Sequence, residues 1–284
     1  AVSTAAGSKR QFGSMVKPMH AGLAAKNAVM AAGLAAEGIE GNEEPLDGKW
    51  GFRELFAGED SPGFEAALAT LGDPLAIDEF GLSPKIYPCC ASTHRSLDAV
   101  LSMRAANGLN AADVKEIVTV VPPMNFDNLR FSDPQSEMER RFSMQYCLAT
   151  AMTNGKVALG DFRPGGETPA DVGQFMAKVD MRSHDGAVTR ANPAAKEATL
   201  VEMHLTNGET LSASVENQKG DGTQPLSDAD YADKFLDCAA DAMTPGDAVR
   251  LHGDIMGFNG LDSIGAVMDT LRDLPIGAPK AAAE

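Results

Sequence analysis

The chain is poor in positive charge: 24 lysines and arginines stand against 40 aspartates and glutamates, a formal balance of -16. Nucleic acids and anionic membrane surfaces reward basic patches, so neither is an expected partner. Any anionic ligand has to be held by a local cluster of Lys, Arg and His. Cysteine is scarce as well, with four in 284 residues. Two of them are adjacent and none forms a CxxC pair, so they read as reduced thiols of a cytosolic protein. The five histidines are scattered. Zinc and iron-sulfur sites lack their ligand spacing, and neither metal nor cofactor is expected. No apolar run reaches the roughly 18 residues of a membrane span. The Ala1-Val2 start offers no basic and apolar leader, and the expected location is the cytoplasm. Gly220-Asp221-Gly222 is not followed by Lys and Ser or Thr, which argues against a P-loop. Internal repeats and coiled-coil heptads are also missing.

What is present falls into three parts. A length of 284 residues points to two compact units. Residues 1 to 80 read as helical, built around an alanine-rich helix from Leu23 to Glu37 whose small residues suit close packing on several sides. A shorter helix is predicted near Gly63 to Leu71. Residues 81 to 224 are mixed. Val114 to Val121 and Phe175 to Met181 read as strands, Phe142 to Thr153 as a helix, and Thr199 to Leu205 with Thr210 to Val215 as a hairpin about Asn207-Gly208. Residues 225 to 284 return to helix, with Ser227 as N-cap and Asp230 at the capping-box position.

Lys85 to His94, Lys-Ile-Tyr-Pro-Cys-Cys-Ala-Ser-Thr-His, gathers a cation, an imidazole and two thiols beside a proline. Pro88 keeps Lys85 and Tyr87 in an extended lead-in, and a helix is predicted from Ser92 or Thr93. His94 then lies in a first turn, where free backbone donors and the helix dipole favour an anion. The alternative is packing: paired cysteines after a proline serve as small hydrophobes, and a first-turn histidine often does the same. Lys17 and His20 flank Pro18 just before the alanine-rich helix or at its mouth. They read equally as ligand groups or as a solvated lysine and a capping histidine.

Four segments, in order, resemble the MmgE/PrpD family: Gly13 to Gly22 (GSMVKPMHAG), Lys85 to His94 with Asp98-Ala99 following, Arg141 to Cys147 (RFSMQYC), and Lys219 to Phe235 (KGDGTQPLSDADYADKF). The family includes 2-methylcitrate dehydratase, cis-aconitate decarboxylase and iminodisuccinate epimerase. The resemblance implies an α+β protein: a mainly helical domain built from both chain ends, with an α+β lid inserted between them and small di- or tricarboxylates bound in the cleft. It places Lys17 and His20 at that cleft from the helical side, and Lys85 and His94 from the lid side. These four are the candidate catalytic residues. Lys17, Lys85, Ser92 and Tyr146 are the candidate substrate contacts, although a tyrosine at 146 also suits packing. Cys89 and Cys90, at positions that vary in the family, are given no chemistry. The implied reaction is metal-independent elimination of water from a 2-methylcitrate-like substrate, with decarboxylation, epimerisation and a non-catalytic carboxylate-binding module as alternatives. The family's first helical portion, with an Asp-containing segment and a further His, has no counterpart in the sequence. A homo-oligomer, or a partner that supplies that portion, is therefore expected.

Overall fold

The computed structural model describes residues 1–58, 68–185, 197–260 and 263–273. The chain forms two compact units, Ala1–Leu82 and Ser83–Glu284.

In the first unit, α1 spans Val16–Ala36, α2 Phe52–Ala57 and α3 Ala76–Phe80. Helix α1 starts seven residues ahead of the predicted Leu23, so Lys17 and His20 are helical rather than preceding the helix. Pro18 is compatible with this because it is the third helical residue, where a backbone N–H has no acceptor one turn back. Ser14 forms a turn ahead of it, accepting from the Lys17 N–H at 3.3 Å through its carbonyl. The close packing predicted for α1 is not realised within the chain: the helix has no buried residue. The helix predicted near residues 63–71 lies for the most part outside the described residues.

The second unit is α+β. Its first helix, α4, spans His94–Asn107 and follows a 3-10 turn at Ala91–Thr93. It ends at Gly108, whose left-handed φ of 62° closes the last turn. Strand β1 (Val114–Val121) follows, then α5 (Pro123–Asn128), α6 (Glu137–Arg140), α7 (Met144–Asn154) and α8 (Ala170–Met176) before β2 (Val179–Ser183). The hairpin of β3 (Thr199–Leu205) and β4 (Thr210–Val215) comes next. Helices α9 (Asp228–Ala239), α10 (Pro245–Met256) and α11 (Gly265–Asp273) complete the order. The second predicted strand is displaced: Phe175 belongs to α8, and β2 begins only at Val179. Buried Val172 and Phe175 are three residues apart, a helical spacing that local β-propensity does not register.

The four strands run in the order β2-β1-β3-β4. The β1 and β2 strands are parallel, Ile117 opposite Val179, and the other pairs are antiparallel, Val201 facing Thr119 on one side and Ala213 on the other. Helices α4 and α7 cover one face. Leu97 and Val100 of α4, Leu148 and Met152 of α7, Ile117 and Val121 of β1 and Met203 of β3 are all fully buried there. Burying each such side chain contributes about 1.5–3 kcal/mol. Within this apolar layer the Ser96 and Thr119 hydroxyls satisfy each other at 2.8 Å. The layer fixes α4, and with it the residues at its N-terminus. The last helices are tied to the rest of the unit by Asp237 of α9, which accepts from the Leu159 N–H at 2.8 Å.

Candidate active site

The Lys85–His94 segment is a tight turn feeding α4. Pro88 breaks regular structure, the Thr93 hydroxyl donates to the Cys90 carbonyl at 2.8 Å, and the Cys90 N–H donates to the Arg141 carbonyl at 2.8 Å. Arg141 returns the contact, its guanidinium donating to the Pro88 carbonyl at 3.1 Å and to the Phe162 carbonyl at 3.2 Å. Two of the segments singled out in the sequence therefore meet: the cation-bearing turn rests on the start of the Arg141–Cys147 stretch.

His94 is completely buried. Its ring meets Tyr87 edge to face at 5.1 Å, and neither ring nitrogen has a nitrogen or oxygen hydrogen-bond partner among the described residues. Cys89 adjoins it, its sulfur 3.1 Å from the Thr93 hydroxyl. Burial would raise the Cys89 thiol, but contacts with Cys147 and His94 outweigh burial and hold it below the ordinary thiol range. The same contact with Cys89, together with burial, pushes Cys147 up. The imidazole and the Cys89 sulfur are thus close enough to interact. This asymmetry between two of the thiols is a feature the sequence reading left without chemistry.

Lys85 is exposed, and its ammonium donates to the Cys89 carbonyl at 3.3 Å. Among the described residues no carboxylate pairs with it, in a chain of formal charge -16. Ser92 is buried, its hydroxyl donating to Asn125 at 3.4 Å and accepting from Asn128 at 3.2 Å. Those two asparagines on α5 were not foreseen, because nothing in the sequence links them to Ser92. Tyr146 is buried beneath the Arg140 guanidinium, with its hydroxyl on the Asp161 carbonyl at 2.5 Å. That is the environment of a structural tyrosine, and its burial raises the phenol pKa.

In the first unit, Lys17 and His20 are three residues apart on α1 and so share a face. The Lys17 ammonium lies 5.6 Å from the centre of the Phe12 ring. His20 is half-buried against the backbone of Gly7, where an added Cβ would stand 3.2 Å from the imidazole Nδ1. The structure thus assembles Lys85, Ser92 and His94 within one unit, and Lys17 with His20 within the other.

A cavity of about 800 Å³ opens beside this turn, lined by Tyr87, Asp98, Ser102, Glu216, Lys219 and Gln224 among others. Neither Lys85 nor His94 lines it. Two carboxylates against a single lysine make it a poor receptor for a polyanion, so the chemistry is read from the turn rather than from this cavity. No group of His, Cys, Asp and Glu able to hold a metal ion occurs among the described residues. No described helix is long and apolar enough to cross a membrane.

The α+β unit carries an ammonium and a buried imidazole in the turn that leads into its first helix. The chain belongs to the MmgE/PrpD family. The model of the family's C-terminal domain matches residues 87–252 and that of its N-terminal domain residues 1–65. Among curated proteins it is similar to the cis-aconitate decarboxylases of Homo sapiens, at 29% identity over 240 residues, covering 83% of this chain and 48% of that protein. The enzyme of that name from Mus musculus is 28% identical over 246 residues, with the same coverage. That from Aspergillus terreus is 22% identical over 285 residues, covering 95% of this chain and 57% of the fungal protein. The chain thus spans about half the length of the curated relatives it matches.

Proposed function

We propose that the chain is the anion-handling part of an MmgE/PrpD-type lyase acting on a small di- or tricarboxylate without a metal. The observation that carries this reading is the buried His94 imidazole, whose nitrogens have no nitrogen or oxygen partner among the described residues, in the same turn as the Lys85 ammonium, which has no carboxylate partner among them. Buried polar groups are ordinarily satisfied, so an unclaimed imidazole points to a role beyond packing.

Loss of carbon dioxide breaks a carbon–carbon bond and leaves its electron pair beside a carboxylate, where a proton later arrives. A cation facing that carboxylate stabilises the developing charge, and a group that titrates near neutrality delivers the proton. In this reading Lys85 holds a carboxylate, His94 moves or guides the proton, and Ser92 orients the substrate from its pair of asparagines. Lys17 and His20, which share a face of α1, are the helical unit's own candidates for binding an anion. Tyr146 serves the fold. The relatives' shared name moves cis-aconitate decarboxylation ahead of 2-methylcitrate dehydration as the reaction to expect.

Incubation of the purified protein with cis-aconitate, 2-methylcitrate and iminodisuccinate, with products followed by NMR, tests the reading. Turnover of cis-aconitate with release of carbon dioxide supports it. Turnover of another member of the panel alone reassigns the reaction, and turnover of none removes the enzymatic reading.

A further inference from the structure

The turn that presents Lys85 is not held only by its neighbours in sequence. The Tyr87 hydroxyl donates to one oxygen of Asp98 at 2.7 Å, and the other oxygen accepts the Lys219 backbone N–H at 2.8 Å. One carboxylate on α4 therefore joins the 84–89 turn to a loop more than a hundred residues away. The Lys219 side chain continues the chain of contacts to Asp230 of α9 at 2.6 Å. Backbone packing adds a second, independent tie. Gly220 has φ of +89°, and a Cβ there would fall 2.5 Å from the Pro84 carbonyl oxygen. Only a residue without a side chain lets the loop lie directly against the residue preceding Lys85.

We propose that Asp98 is a positioning residue: with Gly220 it clamps the 84–89 turn to the 217–224 loop and thereby sets where the Lys85 ammonium stands. The inference rests on the reading that Lys85 holds a substrate carboxylate. Asp98 itself does not touch substrate. It acts through Tyr87, whose ring also packs on His94, so the clamp positions the cation and the imidazole together. Burial and the Asp98 charge raise the Tyr87 phenol far above its ordinary range, which keeps it a donor at any working pH.

The replacement Asp98→Asn separates the two bonds. One oxygen can still accept from Tyr87, but the amide nitrogen then meets the Lys219 N–H donor to donor. Hydrogen exchange and citrate binding by calorimetry, on the wild type, Asp98→Asn, Gly220→Ala, Tyr87→Phe and Lys85→Met, test the clamp and its consequence. The clamp predicts at least tenfold faster exchange confined to residues 85–90 and 218–221 in the first two variants, with the sheet amides unchanged. It also predicts citrate affinity at least tenfold weaker. Tyr87→Phe, which loses one bond of the two, shows the same pattern to a smaller degree and decides the matter if the others fail to fold. Unchanged exchange overturns the clamp. Faster exchange with unaltered citrate affinity, while Lys85→Met binds more weakly, overturns the positioning role. Failure of the wild type and Lys85→Met alike to bind citrate overturns the carboxylate reading and the positioning role with it, and the exchange data still decide whether the clamp exists.

Discussion

Tyr87 meets three parts of the chain with one side chain: its ring edge contacts His94, its hydroxyl reaches Asp98, and its backbone belongs to the turn that presents Lys85. None of these contacts could be read from the sequence. Lys85, Ser92 and His94 could be named because a cation, a hydroxyl and an imidazole share one ten-residue segment that matches the family's motif. Asp98 and Lys219 are 121 positions apart, and only the folded chain pairs them. Asp230 was legible as a cap and proves to do more. Hydrogen bonds from Lys219 and Ser227 hold its carboxyl at about 2, below the ordinary 3.8. A depressed carboxylate stabilises the fold above its unfolded value and loses that contribution as pH falls. The Asp230 side chain is 17% exposed and its Lys219 partner 43%, so solvent screens the pair and the effect is roughly 1 kcal/mol or less. Asp230→Asn should therefore be less stable than wild type at neutral pH, with the gap closing between pH 3.8 and about 2. Denaturant unfolding across that range measures it, and a gap that persists undiminished at the acid end contradicts the ion-pair account.

At the scale of elements, the sequence reading succeeded where a local signal coincided with the final environment. Strand β1 has the predicted limits, the Asn207-Gly208 turn joins β3 to β4 with Gly208 at φ 91°, and Ser227 with Asp230 forms the capping box that starts α9. It failed where local signals competed. Phe175 and its neighbours have strand-like composition but finish in α8, because Val172 and Phe175 face the same core one helical turn apart. Helix α1 begins at Val16 rather than the expected Leu23, and Pro18 is accommodated because a proline in a first turn breaks no hydrogen bond. The packing of α4 on the sheet offers a direct check. Thr119→Val keeps the shape but strands the fully buried Ser96 hydroxyl, at a cost of about 1–3 kcal/mol. Thr119→Val combined with Ser96→Ala should recover most of that loss. Urea unfolding of the single and double variants distinguishes a satisfied pair from two independent hydroxyls, which would show additive losses.

At the scale of the whole molecule, the first unit presents apolar side chains of α1 to solvent. Leu23, Met30 and Leu34 of α1 are 40%, 45% and 48% exposed, and Val29 is 75% exposed. Leaving apolar area in water forgoes roughly 25 cal/mol per Å². Cover by a second copy of the chain, or by a partner that supplies further helical structure, is the proposed resolution. Sedimentation velocity should then show a species heavier than the monomer that dissociates on dilution, and Leu23→Asp with Val29→Asp should favour the monomer. A monomer at every concentration would exclude self-association as the cover. The central claim is narrower and concerns the Lys85 ammonium. The measurement that tests it most directly is the rate of carbon dioxide release from cis-aconitate by the wild-type protein and by Lys85→Met, with folding of both verified by circular dichroism. The account predicts measurable release by the wild type and a loss of at least a hundredfold, roughly 3 kcal/mol of transition-state stabilisation, in the variant. No release by the wild type, or equal release by the two proteins, would contradict it.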